Sequence, residues 1–227
     1  MQVVKAMIGI YSKARQRTGG GMQMRQGQQG FSLIELVIVV IILGLLAVTA
    51  LPRFLDVTDE AKAANVEGMA GGYATGVALA RAQWESQGRP TQAGINTVWY
   101  DGTQLFLTSE NRSSATPVSP GYPVDNANRD GASNSETMSG ARCVAVWNGI
   151  LQNPPAITAS EGAADLAAAR YFTNAVGGNC GYWLVDSLQR TNDGRDYASP
   201  GTDTSIGNNF VYDPKTGRVA ININNGN

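Results

Sequence analysis

The chain contains no histidine. That removes the side chain most often used as a general base near neutral pH. It also removes the usual partner of cysteine in zinc sites, and two cysteines, Cys143 and Cys180, cannot make a zinc cage alone. The pair is not a C-x-x-C, so redox chemistry has no motif either. No glycine-rich phosphate loop is spelled out. Charged residues make up only 15% of the chain, and their placement is uneven. Residues 1–30 hold no acid, and residues 31–51 hold no Lys or Arg. We therefore expect no enzyme, no catalytic residues, no metal and no cofactor.

What is present is a 21-residue apolar run from Phe31 to Leu51, in which Glu35 is the only charged residue. As a helix it would be about 31 Å long, the thickness of a bilayer core. In lipid its backbone can satisfy itself only as a helix. Glu35 is costly there, on the order of 2.5–3.5 kcal/mol on insertion scales. Its partner must come from another chain or from a positive group at the start of the segment.

Residues 1–30 carry Lys5, Lys13, Arg15, Arg17 and Arg25 and end in Gln28-Gln29-Gly30. A basic, polar leader abutting an apolar segment reads as a processing signal. Its charge places that end in the cytoplasm and sends the rest outward. An ordinary signal peptide would be cut after the apolar run, where Ala47-Val48-Thr49 is a poor site. A plain anchor would leave Glu35 and Gly30 unexplained.

The sequence Gly30-Phe31-Ser32-Leu33-Ile34-Glu35, followed by the apolar run and Pro52, closely resembles the class III signal of type IV prepilins and type II secretion pseudopilins. The resemblance implies cleavage after Gly30 by an inner-membrane prepilin peptidase and N-methylation of the new Phe31 amine. It also implies a filament in which Glu35 meets the Phe31 amine of a neighbour, and in which the stretch from Gly44 to Pro52 can lose helical order on assembly. For the free subunit a simple kink at Pro52 is the competing expectation. The leader is long for this family. Met22 would give a start nine residues before the cut, so residues 1–21 are expected to be either an upstream start or a dispensable extension.

Four regions follow: residues 1–30 as leader, 31–52 as the transmembrane or filament-core half of a helix, 53–86 as its amphipathic half, and 87–227 as a globular head. Val66, Ala70, Tyr73, Val77, Ala80 and Trp84 recur at steps of three and four, a stripe that faces a core. Gly68, Gly72 and Gly76 form a second row, expected to admit close approach of the domain's own sheet or of neighbouring helices. The former is favoured, because the helix must cover a sheet. The fold class is α+β: a long N-terminal helix packed on a C-terminal antiparallel sheet domain, as in pilins.

In the head, Thr97–Tyr100 and Gln104–Leu107 read as a hairpin joined by Asp101-Gly102. Residues 108–140 read as a long polar loop with Asp125, Asp130 and Glu136 as solvated acids. Ala141 to Gln152 reads as a short helix with Val144, Trp147 and Leu151 on one face. Ser160 is expected to cap a second helix near 163–169. Residues 170–176 and 180–185 read as strands around Gly177-Gly178-Asn179. Residues 186–209 form another polar loop, where Asp193, Asp196 and Asp203 could bind calcium as in major pseudopilins, although their spacing fits plain solvation better. Phe210 to Ile221 is a closing hairpin, and 222–227 a polar tail. Cys143 and Cys180 are expected to form a disulfide, since the head lies outside the inner membrane.

Leaving out the five leader cations, 12 Lys/Arg face 18 Asp/Glu, with no basic stripe, so nucleic acid is not expected as a partner. The expected partners are prepilin peptidase, an inner-membrane assembly platform, other pilin subunits, and the membrane for the precursor. The expected location is the inner membrane, single-pass, and then an extracellular pilus. The Pro52-Arg53-Phe54-Leu55 continuation resembles pilins of the mannose-sensitive haemagglutinin (MSHA) type, and the head resembles minor or secondary pilins of that system. A pseudopilin that pushes substrates through a type II secretion channel is the alternative reading. An anchored periplasmic binding module is a remoter one.

Overall fold

The computed structural model describes residues 31–113, 117–126, 138–191, 194 and 196–224. Gly30 and the rest of the leader, Asp130, Glu136 and Asp193 lie outside them. The chain divides into two compact units, Met1–Ala47 and Val48–Asn227. Helix α1, Leu33–Ser86, contributes residues to both and contains Pro52.

In the second unit α1 buries the six residues of the stripe, together with Gly76. It stops where Gly88 (φ +80°) and Arg89 (φ +59°) turn left-handed ahead of Pro90. The Arg89 N–H donates back to the Trp84 carbonyl at 3.0 Å, which satisfies an end carbonyl the helix would otherwise leave open.

Two sheets follow. The first comprises β1 Thr91–Gln92, β2 Ile95–Tyr100, β3 Thr103–Leu107 and β4 Pro123–Asp125, antiparallel in that order. The β2–β3 hairpin turns at Asp101 (φ +46°) and Gly102 (φ +78°), the two positive φ values that a type I′ turn requires. The second comprises β5 Ile157–Thr158, β6 Tyr171–Val176, β7 Asn179–Leu184, β8 Asn209–Asp213 and β9 Arg218–Asn222. It is antiparallel except that β5 runs parallel to β6. Helices α2, Gly140–Ile150, and α3, Ala163–Ala168, complete the head.

Tyr73 of α1 sits among the rings of Tyr182, Tyr212, Phe210 and Trp147, with centroids 5.0, 5.3, 5.4 and 6.1 Å away. The fully buried Tyr73 and Tyr182 hydroxyls lie 2.9 Å apart, and Tyr182 donates to the Cys143 carbonyl at 3.0 Å. A relay from Tyr73 to Tyr182 to Cys143 thus satisfies each buried group. Burial, and next the neighbouring Tyr182 and Tyr212, push the Tyr73 phenol well above its ordinary value.

The expected disulfide is present. Cys143 of α2 and Cys180 of β7 are joined with Cα atoms 5.5 Å apart across a separation of 37 residues, and both are fully buried. Closing a loop of that length restricts the unfolded chain by about 3–4 kcal/mol. Cys143→Ser should therefore lower unfolding stability by about 2–4 kcal/mol, measured by urea denaturation of the full chain in detergent micelles. An unchanged midpoint would show that the bridge is incidental to the fold.

Several expectations need correction. Residues 108–140 are not all loop: β4 lies within them, and an isolated bridge pairs Asn111 with Val118. Asp125 is not a solvated acid. It is 0% exposed, with one carboxylate oxygen 3.6 Å from Arg142 Nε on α2. Helix α2 turns Cys143, Val146, Trp147 and Ile150 into the core, while Val144 and Leu151 are only half-buried. The N-cap of α3 is Gly162 and not Ser160, whose hydroxyl accepts from the Gly162 N–H at 3.3 Å. The segment after β7 begins as a 3₁₀ turn, Val185–Ser187, and buries Val185 and Leu188 against Leu166, Phe172 and Trp183. Asp186 within it pairs with Arg170 at 2.7 Å and accepts from the Tyr197 hydroxyl at 3.0 Å.

The glycine row also divides. A Cβ on Gly76 would lie 2.8 Å from the Ile150 carbonyl oxygen, so this glycine admits the end of α2 and not a sheet. Gly68 and Gly72 face open space.

Candidate assembly segment

Of the residues singled out for processing and assembly, the first unit supplies Phe31, Glu35 and Gly44, and Pro52 falls in the second. Phe31 is 85% exposed and precedes α1. Ser32 begins the helix: its carbonyl accepts from the Glu35 N–H at 3.1 Å and the Leu36 N–H at 3.3 Å, and its hydroxyl accepts from Glu35 N at 3.2 Å. A serine followed three residues later by glutamate is the capping-box spacing. Sequence reasoning passed over Ser32, although Ser32-Leu33-Ile34-Glu35 spells the signal.

Glu35 thus stands in the first turn of α1. A carboxylate there faces the positive end of the helix dipole, worth about 0.3–1 kcal/mol at an exposed site. That gives Glu35 a local electrostatic reason to exist, smaller than the cost of a charge at membrane depth.

Beyond Glu35, every residue from Leu36 to Leu51 is exposed. The apolar window of α1 has a mean hydropathy of 2.9, and none of it is buried. Among the described residues, α1 is the one helix long and apolar enough to cross a membrane. Among the described residues nothing lies within 4 Å of the position a Cβ on Gly44 would take, so none of them calls for a glycine there. Pro52 lies inside α1, whose helical assignment is continuous from Leu33 to Ser86. Phe54, Leu55 and Val57 remain exposed past it, and the apolar surface runs further than the 31–51 stretch indicated.

Among the described residues no group of three His, Cys, Asp or Glu is placed to hold a metal ion. Asp203, in the second polar loop, is engaged by the backbone N–H and hydroxyl of Ser205 at 2.9 and 2.7 Å. Those bonds hold its carboxyl below the usual range.

Comparison with known proteins points in one direction. The prokaryotic N-terminal methylation motif matches residues 25–51. The major component of the type IV narrow pilus of Thermus thermophilus is 46% identical over 97 residues, covering 43% of this chain and 82% of that protein. A fimbrial protein of Neisseria meningitidis is 40% identical over 73 residues, 31% of this chain and 42% of that protein. No solved structure matches the chain at a significant level.

Proposed function

The chain belongs to the type IV pilin family, and from that premise we propose that it is cut after Gly30 and assembled through residues 31–52 into an extracellular filament for surface attachment. The observation that carries this reading is Glu35, one acid at the head of an apolar helix with no Lys or Arg between Phe31 and Leu51. The positive group that suits it is the amine freed at Phe31 of an adjacent subunit. A bare anchor would have no use for either residue.

In this reading residues 1–30 are the leader read by prepilin peptidase, and the new Phe31 amine is methylated. Residues 31–52 hold the precursor in the inner membrane and later form the filament core. Residues 53–86 support the head, residues 87–227, outside that membrane. The remaining partners are the assembly platform and other pilin subunits. The chain acts structurally and performs no catalysis. Names among the relatives, a pilus component and a fimbrial protein, favour a pilus over a secretion pseudopilus. Within pili, the Pro52-Arg53-Phe54-Leu55 continuation favours the MSHA type.

The test is the N-terminus of the chain in sheared surface filaments, read by mass spectrometry. It should begin at methylated Phe31. Gly30→Val should leave full-length precursor in the membrane fraction, because a bulky side chain at the cut obstructs the peptidase. A normal Phe31 terminus in that variant would remove Gly30 from the mechanism.

A further inference from the structure

Exposed large apolar residues are concentrated before residue 58; in the rest of the described chain only Leu79, Trp99 and Ile221 are exposed. Trp99 is the outlier by size and setting. It lies on β2 and is 61% exposed, whereas Trp84, Trp147 and Trp183 are at most 2% exposed. A lone exposed apolar residue is ordinary. This one borders a depression of about 350 Å³, shared with Gln87, Pro90, Gln92, Thr97 and Gln104.

Two of the polar groups around the indole hold one another. Gln104 of β3 stands directly opposite Trp99 in the register of the hairpin. Its side-chain amide donates to the side-chain oxygen Oε1 of Gln92 at 2.5 Å, tying β1 to β3 across β2. Each glutamine amide carries two N–H donors and an acceptor oxygen, so that bond leaves both amides with donors and the Gln104 oxygen as an acceptor for a ligand. Gln87 adds a third amide at the rim. No Lys, Arg, Asp or Glu lines the depression.

We propose that this face of the first sheet is a carbohydrate site, built around Trp99 and the amides of Gln92 and Gln104, for a neutral β-linked polysaccharide at a surface outside the cell. A pyranose with equatorial substituents presents a flat face of C–H bonds, which suits an indole face. Its rim of hydroxyls both donates and accepts, which suits primary amides. The uncharged lining gives no counter-ion to a phosphate, sulfate, carboxylate or ammonium group, each of which would lose hydration without compensation. The amides are held before the ligand arrives, so little order has to be imposed on binding. The site gives the surface attachment proposed above a ligand class. It rests on that reading for its biological use but not for its chemistry.

The test uses the full mature chain in a zwitterionic detergent free of sugar headgroups, so its outcome does not depend on assembly. Trp99 is the exposed indole, and acrylamide quenching therefore reports on it. Cellotriose and N,N′-diacetylchitobiose should shield it saturably, and the chain should be retained on insoluble cellulose or chitin. Trp99→Ala should weaken retention at least about tenfold, with Trp99→Phe recovering part of it. Gln104→Ala should weaken retention while leaving the indole open to acrylamide. Lack of shielding by both sugars, or unchanged retention of Trp99→Ala, would overturn the proposal. So would equal binding of a glucuronate-bearing oligosaccharide, or a Trp99 that acrylamide cannot reach in assembled filaments, which would mean that a second copy covers this face.

Discussion

Glu35→Val protein, co-expressed with tagged wild type, should enter sheared filaments at less than about a tenth of the wild-type frequency. The substitution removes a charge from an apolar segment, so membrane insertion should improve on insertion scales. Cleavage should be unaffected, because Gly30 and Phe31 are unchanged. Helix α1 should still start, since the Ser32 cap uses the backbone N–H of residue 35 and not its carboxylate. The loss at the helix start is about 0.3–1 kcal/mol of dipole energy. Assembly is different. In the proposed filament the Phe31 amine of the neighbour would be buried without its counter-charge. Breaking a buried pair by removing one partner costs about 3–5 kcal/mol, which is two or more decades in an equilibrium. The acid then acts as a register pin, favouring the stagger that brings charge to charge. Equal recovery of tagged variant and wild type from filaments, quantified by immunoblot, would show that assembly does not read Glu35.

Arg142→Met should destabilise the head by about 3–5 kcal/mol, seen as a lower urea midpoint for the full chain in detergent. Arg142 on α2 is 8% exposed, and Asp125 on β4 is 0% exposed. The substitution keeps an unbranched side chain out to the ε position but strips the carboxylate of the Arg142 cation. Asp125→Leu combined with Arg142→Met should be less damaging than Arg142→Met alone, since an apolar pair pays no desolvation cost for charge. A double variant as unstable as the sum of the singles would mean that the two residues act independently and that the pair is not a unit.

Local signals carried the parts of this fold that were legible. The stripe from Val66 to Trp84 has helical period, and all six of its residues are buried. The Asp101-Gly102 turn spelled its hairpin because only a few residue types tolerate two positive φ values in succession. The end of α1 at Ser86 followed from Gly88 and Pro90. What stayed hidden depends on distant partners. Pro123-Val124-Asp125 carries no strand pattern of its own; β3 supplies its ladder and Arg142 its counter-charge. β5 is two residues long and exists only through β6. Helix α2 is buried on nearly every side, so no single stripe marked its inner face.

The candidate assembly segment was legible for the opposite reason. Its apolar residues from Leu36 to Leu51 are all exposed, so their number and order speak directly. The exception was Ser32, whose role as a cap hides beside the louder Glu35. The glycine row showed the limit of spacing alone. Gly76 meets the end of α2 while Gly68 and Gly72, on the same spacing, meet nothing.

The bare apolar surface of α1 also has a bearing on where subunits can wait. Moving one large apolar side chain into water costs about 1.5–3 kcal/mol, and a dozen or more stand exposed between Leu33 and Val57. Their sum leaves essentially no aqueous monomer at equilibrium. On the proposed pathway the subunit's reservoir is therefore a sheet and not a volume. Encounters before assembly depend on subunits per unit area of membrane, and diluting the surrounding medium leaves that density unchanged. Detached filaments, cut off from this two-dimensional pool, have no free species to exchange with, and their length is set by breakage and not by dissociation.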